Sequence, residues 1–330
     1  MKPLIIKDKI YGQFKITEPV LIELIKSPAL QRLKKIEQHG TWQFHRHYHH
    51  RFNRYEHSVG DMLLLKKFKA SLDEQIHGLL HDISHTAFSH VSDFLFGSDS
   101  MKHDYQDNHT VKAYQLQGVN DILKKHGFSP ARILNKKNFP LAENNLPDLC
   151  ADRIDYTLRD PWGRDLDPVS PKQIFKNLRV INNKLVFTSR VWAKKFALLN
   201  FKLNKQIWCH PFHIAIYVLS AEMLAEALAK KVITKKDLYS TDQAVTKKLI
   251  ASKNHLIKDR LKKIKDLAVK EVPRPQADFC RSSKPRIVNP YFLENQQLQR
   301  LATVDYAYKK QTRAWVKKVK KGFRVKILNS

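Results

Sequence analysis

The chain has 330 residues, 42% of them hydrophobic, which is enough for a buried core in one large domain or two modest ones and excludes a disordered protein. Its 60 Lys and Arg against 31 Asp and Glu give a formal net charge of +29, a field that draws nucleotides, nucleic acid or anionic membrane surfaces without choosing among them. Cys150, Cys209 and Cys280 are far apart and form no CxxC pair, which argues against a disulfide framework or zinc knuckle, and no run of membrane-span length is expected, so the chain reads as soluble and cytoplasmic.

From the start, MKPLIIKDKIYGQF carries an apolar stretch too short for a secretory signal. Between Glu18 and Gln38 the apolar spacing predicts two short helices joined at Ser27-Pro28. TWQFHRHYHHRFNRYEH reads as a loop that delivers His57 to a helix over about Ser58 to Lys69. Its His45, His47, His49 and His50 suggest a phosphate or substrate surface, not a second metal. One or two helices are expected from Glu74 to Phe96, a polar turn at GSDSMKHDYQDN, and helices from His109 to Lys125 and from Asp148 to Arg159, with Pro161 as a stop.

Past Pro161, VINNKLVF predicts a hairpin turning at Asn182-Asn183. Helices are expected over 191–229 and 242–265, then extended PRIVNP and FRVKIL flanking a helical Gln297 to Lys309. The whole reads as mainly α, a helical core over 1–165 and a helical extension over 166–330 that ends in a smaller basic α+β segment. Lysine pairs such as Lys230-Lys231 read as solvated helix faces. Seven cations between Arg313 and Lys326, interleaved with Trp315, Val316, Val319 and Phe323, mark a candidate nucleic-acid contact.

The chemistry sits in the first half. Helical spacing would stack His77, His81 and His85 in a row with Asp82 beside the middle one, and neutral imidazole with carboxylate is a set that holds a catalytic divalent ion. An upstream His57 in NRYEHS and a downstream Asp152 in DRIDYTLRD accompany the run LLHDISHTAFSH. That order of His, His-Asp and Asp resembles the HD superfamily of metal-dependent phosphohydrolases. The fuller strings are similar to its branch containing the deoxynucleoside triphosphate triphosphohydrolases and the SAM-and-HD-domain proteins. YGQFKIT with SPALQRLKKIEQHG resembles the opening of that branch's catalytic core, and KPRIVNP a C-terminal segment of it.

The resemblance implies an HD-type helical core in which His57, His81, Asp82 and Asp152 hold one metal ion, be it Mn, Fe, Ni, Co, Zn or Mg. It implies that one of His85, His90 and His109 protonates the leaving oxygen or steadies the charged transition state. Gln38, Arg54, Arg153, Tyr156 and Asp160 would contact sugar and phosphates, and Asp152, Tyr156 and Asp160 share a helix face by their spacing. Asp155 reads as a cap or salt-bridge partner, and His77 as an ordinary core or surface histidine. Two departures stand out: Thr110 follows His109 where the family commonly has glutamate, and NFKLNKQIWCH lacks a phosphate-binding arginine, with Lys202 or Lys205 as the candidate replacement. The expected function is a nucleotide phosphohydrolase, with a deoxynucleoside triphosphate triphosphohydrolase as the finer reading that the resemblance implies. A phosphodiesterase or nuclease and a non-catalytic nucleic-acid-binding protein are the alternatives, and the resemblance also implies a homo-oligomer.

Overall fold

The computed structural model describes residues 2–48, 52–97, 105–160 and 170–328; His49, His50, Pro161 and much of GSDSMKHDYQDN lie outside them. The first elements form a hairpin that the charged sequence conceals. β1 (Leu4–Asp8) pairs antiparallel with β2 (Gly12–Ile16), and Asp8 Oδ1 accepts the backbone N–H groups of Ile10 and Tyr11 to close the turn.

α1 (Pro19–Lys26) and α2 (Pro28–Leu33) meet at Ser27 as expected, and its hydroxyl caps the second by accepting from Leu30 N. α3 (Arg54–Lys67) starts four residues before the predicted position. α4 (Leu72–Leu80) and α5 (Val91–Phe96) are separate, with turns over 81–90 between them. α6 (Tyr105–Leu116) and α7 (Val119–Lys125) break at Gly118, whose φ of +69° ends the first helix. α8 (Pro130–Leu134) and α9 (Ala151–Arg159) complete the first half.

After α10 (Pro171–Lys176), β3 (Leu178–Ile181) and β4 (Lys184–Phe187) make the predicted hairpin, with Asn182 and Asn183 both left-handed. The expected helix over 191–229 is two: α11 (Arg190–Leu203) runs into a π-helical turn at Asn204–Trp208, and Pro211 begins α12 (Pro211–Ala229). α12 corrects the expectation of no span-length run, since by length and composition it could cross a membrane. Here it is a core helix that buries Ile214, Ile216, Met223 and Leu224.

α13 (Lys235–Leu238) precedes α14 (Asp242–Ala251) and α15 (His255–Lys265), which split the predicted 242–265 helix where Asn254 caps the second. β5 (Val269–Glu271), β6 (Phe279–Arg281) and a final β9 make one antiparallel sheet, with β9 in the middle. β7 (Tyr291–Glu294) and β8 (Gln297–Arg300) form a hairpin, β7 lying parallel to β4. Helix therefore does not start at Gln297; α16 (Leu301–Val304) and α17 (Tyr306–Lys321) follow, then β9 (Phe323–Ile327). PRIVNP enters no ladder.

The fold is mainly α with a C-terminal α+β part. Its apolar side chains gather in two large clusters, one built around α1 to α4 and α11, the other around α12, α15 and the β5-β9-β6 sheet. Each takes residues from both sides of position 165. In the basic segment apolar side chains face inward: Val319 on α17 and Phe323 at the start of β9 are buried and Trp315 packs against both clusters, while Arg313, Lys317, Lys320 and Lys321 are exposed. The interleaving of cations and apolar residues reflects an amphipathic helix, with Lys318 lying over the Trp315 and Phe323 rings.

Candidate metal centre

Local chemistry fixes the start of α3. Asn53 Oδ1 accepts from Glu56 N at 2.9 Å, and Glu56 Oε2 accepts from Asn53 N at 3.0 Å, a capping box that pins the first turn. Arg54 and His57, three residues apart, then face inward and are almost fully buried. α4 stops at Leu80, so the predicted stack of His77, His81 and His85 does not form. His81 caps the helix and His85 belongs to the following turn, which Arg32 braces by donating to the carbonyls of Ile83 (2.7 Å) and His85 (2.9 Å). His77 is a core histidine: Nδ1 donates to the Ile133 carbonyl, and burial pushes its pKa down to about 4.

α3, the end of α4 and the first turn of α9 converge. His57 Nε2 lies 3.2 Å from His81 Nε2 and 3.1 Å from Asp152 Oδ1, and His81 Nε2 is 4.0 Å from that oxygen. Asp82 presents Oδ1 at 3.5 Å from His81 Nε2 and Oδ2 at 3.9 Å from His57 Nε2. His57, His81 and Asp152 by themselves offer one ligand atom each within a 4.8 Å cluster. Both imidazoles commit Nδ1–H elsewhere, His57 to Asp155 Oδ2 (2.7 Å) and His81 to the Gly78 carbonyl (2.6 Å), which turns each Nε2 lone pair toward the common point. Two nitrogens ~2.1 Å from one ion, at octahedral or tetrahedral angles, stand roughly 3.0–3.4 Å apart, so this donor set fits a divalent metal.

The electrostatics favour a cation there. Burial opposes protonation of His57, but Asp152, Asp155 and Asp82 outweigh it and lift its pKa to about 9. Asp152 and Asp82 are held below the ordinary carboxylate range despite burial, Asp152 chiefly by His57 and Asp82 chiefly by Arg54, whose Nη1 donates to Asp82 Oδ2 at 2.8 Å. Behind His57 a chain of charges runs outward: Asp155 accepts from Arg159 Nε (3.0 Å) and Nη2 (2.8 Å), and Arg159 reaches Asp8 Oδ2 on the first hairpin. Gly60 makes room for it, since a Cβ there would run into Asp155 Oδ1 and Arg159 Nη2. Asp61 stands behind His81, 3.6 Å from Nδ1, its oxygens without hydrogen-bond partners and its pKa pushed well up by burial.

A cavity of about 430 Å³ opens in front of this point, and Gln38, Arg54, His85, His90, Arg153 and Tyr156 all line it. His85 Nε2 lies 3.0 Å from Asp82 Oδ1, and His90 Nδ1 lies 2.9 Å from Asp93 Oδ2. Gln38 Oε1 is buried without a partner. Arg153 is largely committed, donating to the carbonyls of Asp148 (2.7 Å) and Asn144 (2.5 Å). Three expected residues stand outside the lining: His57, buried behind His81 and Asp152, and two more. His109 on α6 lies 6.4 Å, ring to ring, from Tyr239, and Asp160 is buried, bonded to His39 Nε2 at 2.8 Å and to Trp208 Nε1. Asp160 instead borders a small adjoining pocket of about 60 Å³ shared by Gln38, His90, Tyr156, Lys284 and Arg286. Lys202 and Lys205 line neither space, whereas Lys284 and Arg286 line both. Their only sequence signal was the KPRIVNP string, which carries no spacing relation to the histidines.

No family model matches the chain. It is 37% identical over 326 residues to the uncharacterised protein YdhJ of Bacillus subtilis, covering 98% of this chain and 99% of that one. It is 33% identical over 253 residues to the metal-dependent phosphohydrolase cns2 of Cordyceps militaris, covering 73% and 71%. A Dictyostelium discoideum protein named as a homolog of the deoxynucleoside triphosphate triphosphohydrolase SAMHD1 is 24% identical over 264 residues, 68% of this chain and 49% of that protein. In fold, a phosphohydrolase of Bacteroides thetaiotaomicron superposes with a TM-score of 0.69 at 19% identity, covering 97% and 98%. These relationships, on a helical fold with a histidine-aspartate cluster, define a metal-dependent phosphohydrolase. The chain belongs to the HD-domain family of these hydrolases, which cleave phosphoric ester or anhydride bonds with the help of a metal ion.

Proposed function

We propose that the chain hydrolyses a phosphate bond of nucleotides, with a deoxynucleoside triphosphate as the first substrate to try, and that His57, His81, Asp82 and Asp152 hold one divalent ion for it. The observation that carries this reading is the meeting of two Nε2 lone pairs with carboxylate oxygens on the wall of a solvent-open cavity. Mixed His and Asp ligation suits Mn, Fe, Ni, Co, Zn or Mg. When bound, such an ion supplies a water ionised near neutral pH and polarises a phosphoryl oxygen.

The protein's own groups do the rest. Asp155 keeps His57 in the tautomer that presents Nε2, and Arg54 orients Asp82. His90, its Nδ1 held by Asp93 and its pKa pushed well down by burial, faces the cavity as a neutral imidazole, and we assign it to relaying a proton from a cavity water to the leaving oxygen; His85 braces Asp82 beside it. Gln38 and Tyr156 face the sugar, with Gln38 Oε1 placed to accept a hydroxyl. Asp160 acts through Trp208 and His39, shaping the adjoining pocket. His109 is left without a role at the bound phosphate. Self-association belongs to this reading by likeness to its relatives, and sedimentation checks it.

The test is a nucleotide panel with each metal in turn, with phosphate, pyrophosphate and triphosphate resolved among the products. Release of triphosphate from deoxynucleoside triphosphates supports the finer reading. Cleavage of diesters alone moves the assignment to a phosphodiesterase, and hydrolysis unaffected by Asp82→Ala removes the assigned site.

A further inference from the structure

Arg286 and Lys284 reach the metal cavity from a segment that is neither helix nor strand. Its backbone is gripped by two buried amides. Asn204 Oδ1 accepts from Arg286 N at 2.8 Å, Asn204 Nδ2 donates to the Arg286 carbonyl at 3.1 Å, and Asn200 Oδ1 accepts from Val288 N at 3.3 Å. Because these bonds take main-chain atoms only, the segment can be held rigidly while its long side chains line the cavity.

The other guanidiniums nearby are spent on the protein itself. Arg54 bonds Asp82 and Ser89, and Arg153 bonds two backbone carbonyls. Arg286 has Tyr156 as a side-chain hydrogen-bond partner, its guanidinium carbon 5.8 Å from that ring, and lies on the seam between the metal cavity and the adjoining pocket, with Lys284 lining both spaces beside it. A planar guanidinium engages two phosphate oxygens at once, and an ammonium adds a point charge. Lys205, one of the two lysines offered from the sequence, is exposed and rests over the Phe201 ring.

We propose that Arg286 and Lys284 form an anionic subsite that holds the non-reacting phosphoryl groups of the substrate, so that a nucleoside polyphosphate is preferred over a monophosphate. The statement about substrate preference rests on the phosphohydrolase reading above; the subsite does not.

Calorimetric titration of inorganic tripolyphosphate into the 330-residue chain tests it. Arg286→Gln should weaken binding by about ten- to a hundredfold, Arg286→Lys should recover part of the loss, and Lys205→Gln should bind as wild type. In turnover, Arg286→Gln should raise KM for a triphosphate and leave a monophosphate little changed. Absence of tripolyphosphate binding by the wild type, equal binding by Arg286→Gln, or an equal loss in Lys205→Gln overturns the subsite. If Arg286-dependent binding is found but no nucleotide is hydrolysed, the function reading falls and the subsite stands. If metal-dependent hydrolysis is found and Arg286→Gln binds like wild type, the subsite alone falls.

Discussion

Asp155 stands directly behind His57, its Oδ2 2.7 Å from Nδ1, on the opposite side of the ring from Asp152 and His81. One imidazole thus joins two carboxylates of the same helix turn, and only one of the two can face an ion. Asp155→Asn can leave an amide N–H against Nδ1, which favours the wrong tautomer. On this account metal affinity falls about 10- to 100-fold while the chain stays folded. Competitive metal titration reads it, and unchanged affinity would remove Asp155 from the assembly.

Gly60 is the permissive partner of that arrangement. Gly60→Ala puts a methyl group into the space held by the Asp155–Arg159 pair, both ends of which are buried. Overpacking of this kind costs about 1–3 kcal/mol, so the denaturant midpoint should drop by the corresponding amount. A midpoint within error of wild type would mean that the pair has slack.

Arg32 ties the turn that carries Asp82 and His85 to the C-terminal half, since its Nη1 also donates to the Ser240 carbonyl at 3.1 Å. Arg32→Met keeps much of the buried stem and removes those bonds. Amides over 83–89 should exchange faster and turnover should fall by about tenfold or more, as expected when a reacting group loses its placement. Exchange protection equal to wild type would contradict this.

A pH effect is expected at Asp242, far from the cavity's ligands in sequence. Burial raises its pKa to about 6, although backbone N–H groups of Glu37 and Phe88 and the Gln43 amide stabilise its charge. Between roughly pH 4 and 6 the folded chain retains a proton that the unfolded chain has lost. Stability therefore falls as pH rises through that window, by about 3 kcal/mol, and levels off above it. Urea unfolding of wild type and Asp242→Asn checks the slope: the variant should lose this part of the pH dependence even though its baseline stability is lower. Parallel slopes would contradict it.

The sequence disclosed what chemistry constrains. His57, the His81-Asp82 pair and Asp152 could be picked out as candidates because only a few side-chain types serve such a site and their order along the chain is characteristic, and the structure brings these side chains together. The end of α4 was not legible: LLHDISHTAFSH contains no glycine or proline, so helical spacing ran on through His85 where the structure turns. Asp61 and Gly60 acquire meaning only from what packs against them. Arg286 depends on an amide clamp from residues more than eighty positions earlier. The hairpins β1–β2 and β7–β8 were hidden by short strands with many polar positions, the second turning through left-handed Asn295 and Gln296 instead of a glycine.

The central claim is that four side chains from three helical segments share one cation that the hydrolysis needs. Elemental analysis of purified wild type and Asp152→Ala, with phosphate release followed on the same samples, addresses it most directly. The account predicts about one divalent ion per chain in the wild type, with metal and hydrolysis lost together in the variant. Equal metal content and equal turnover in both proteins would contradict it.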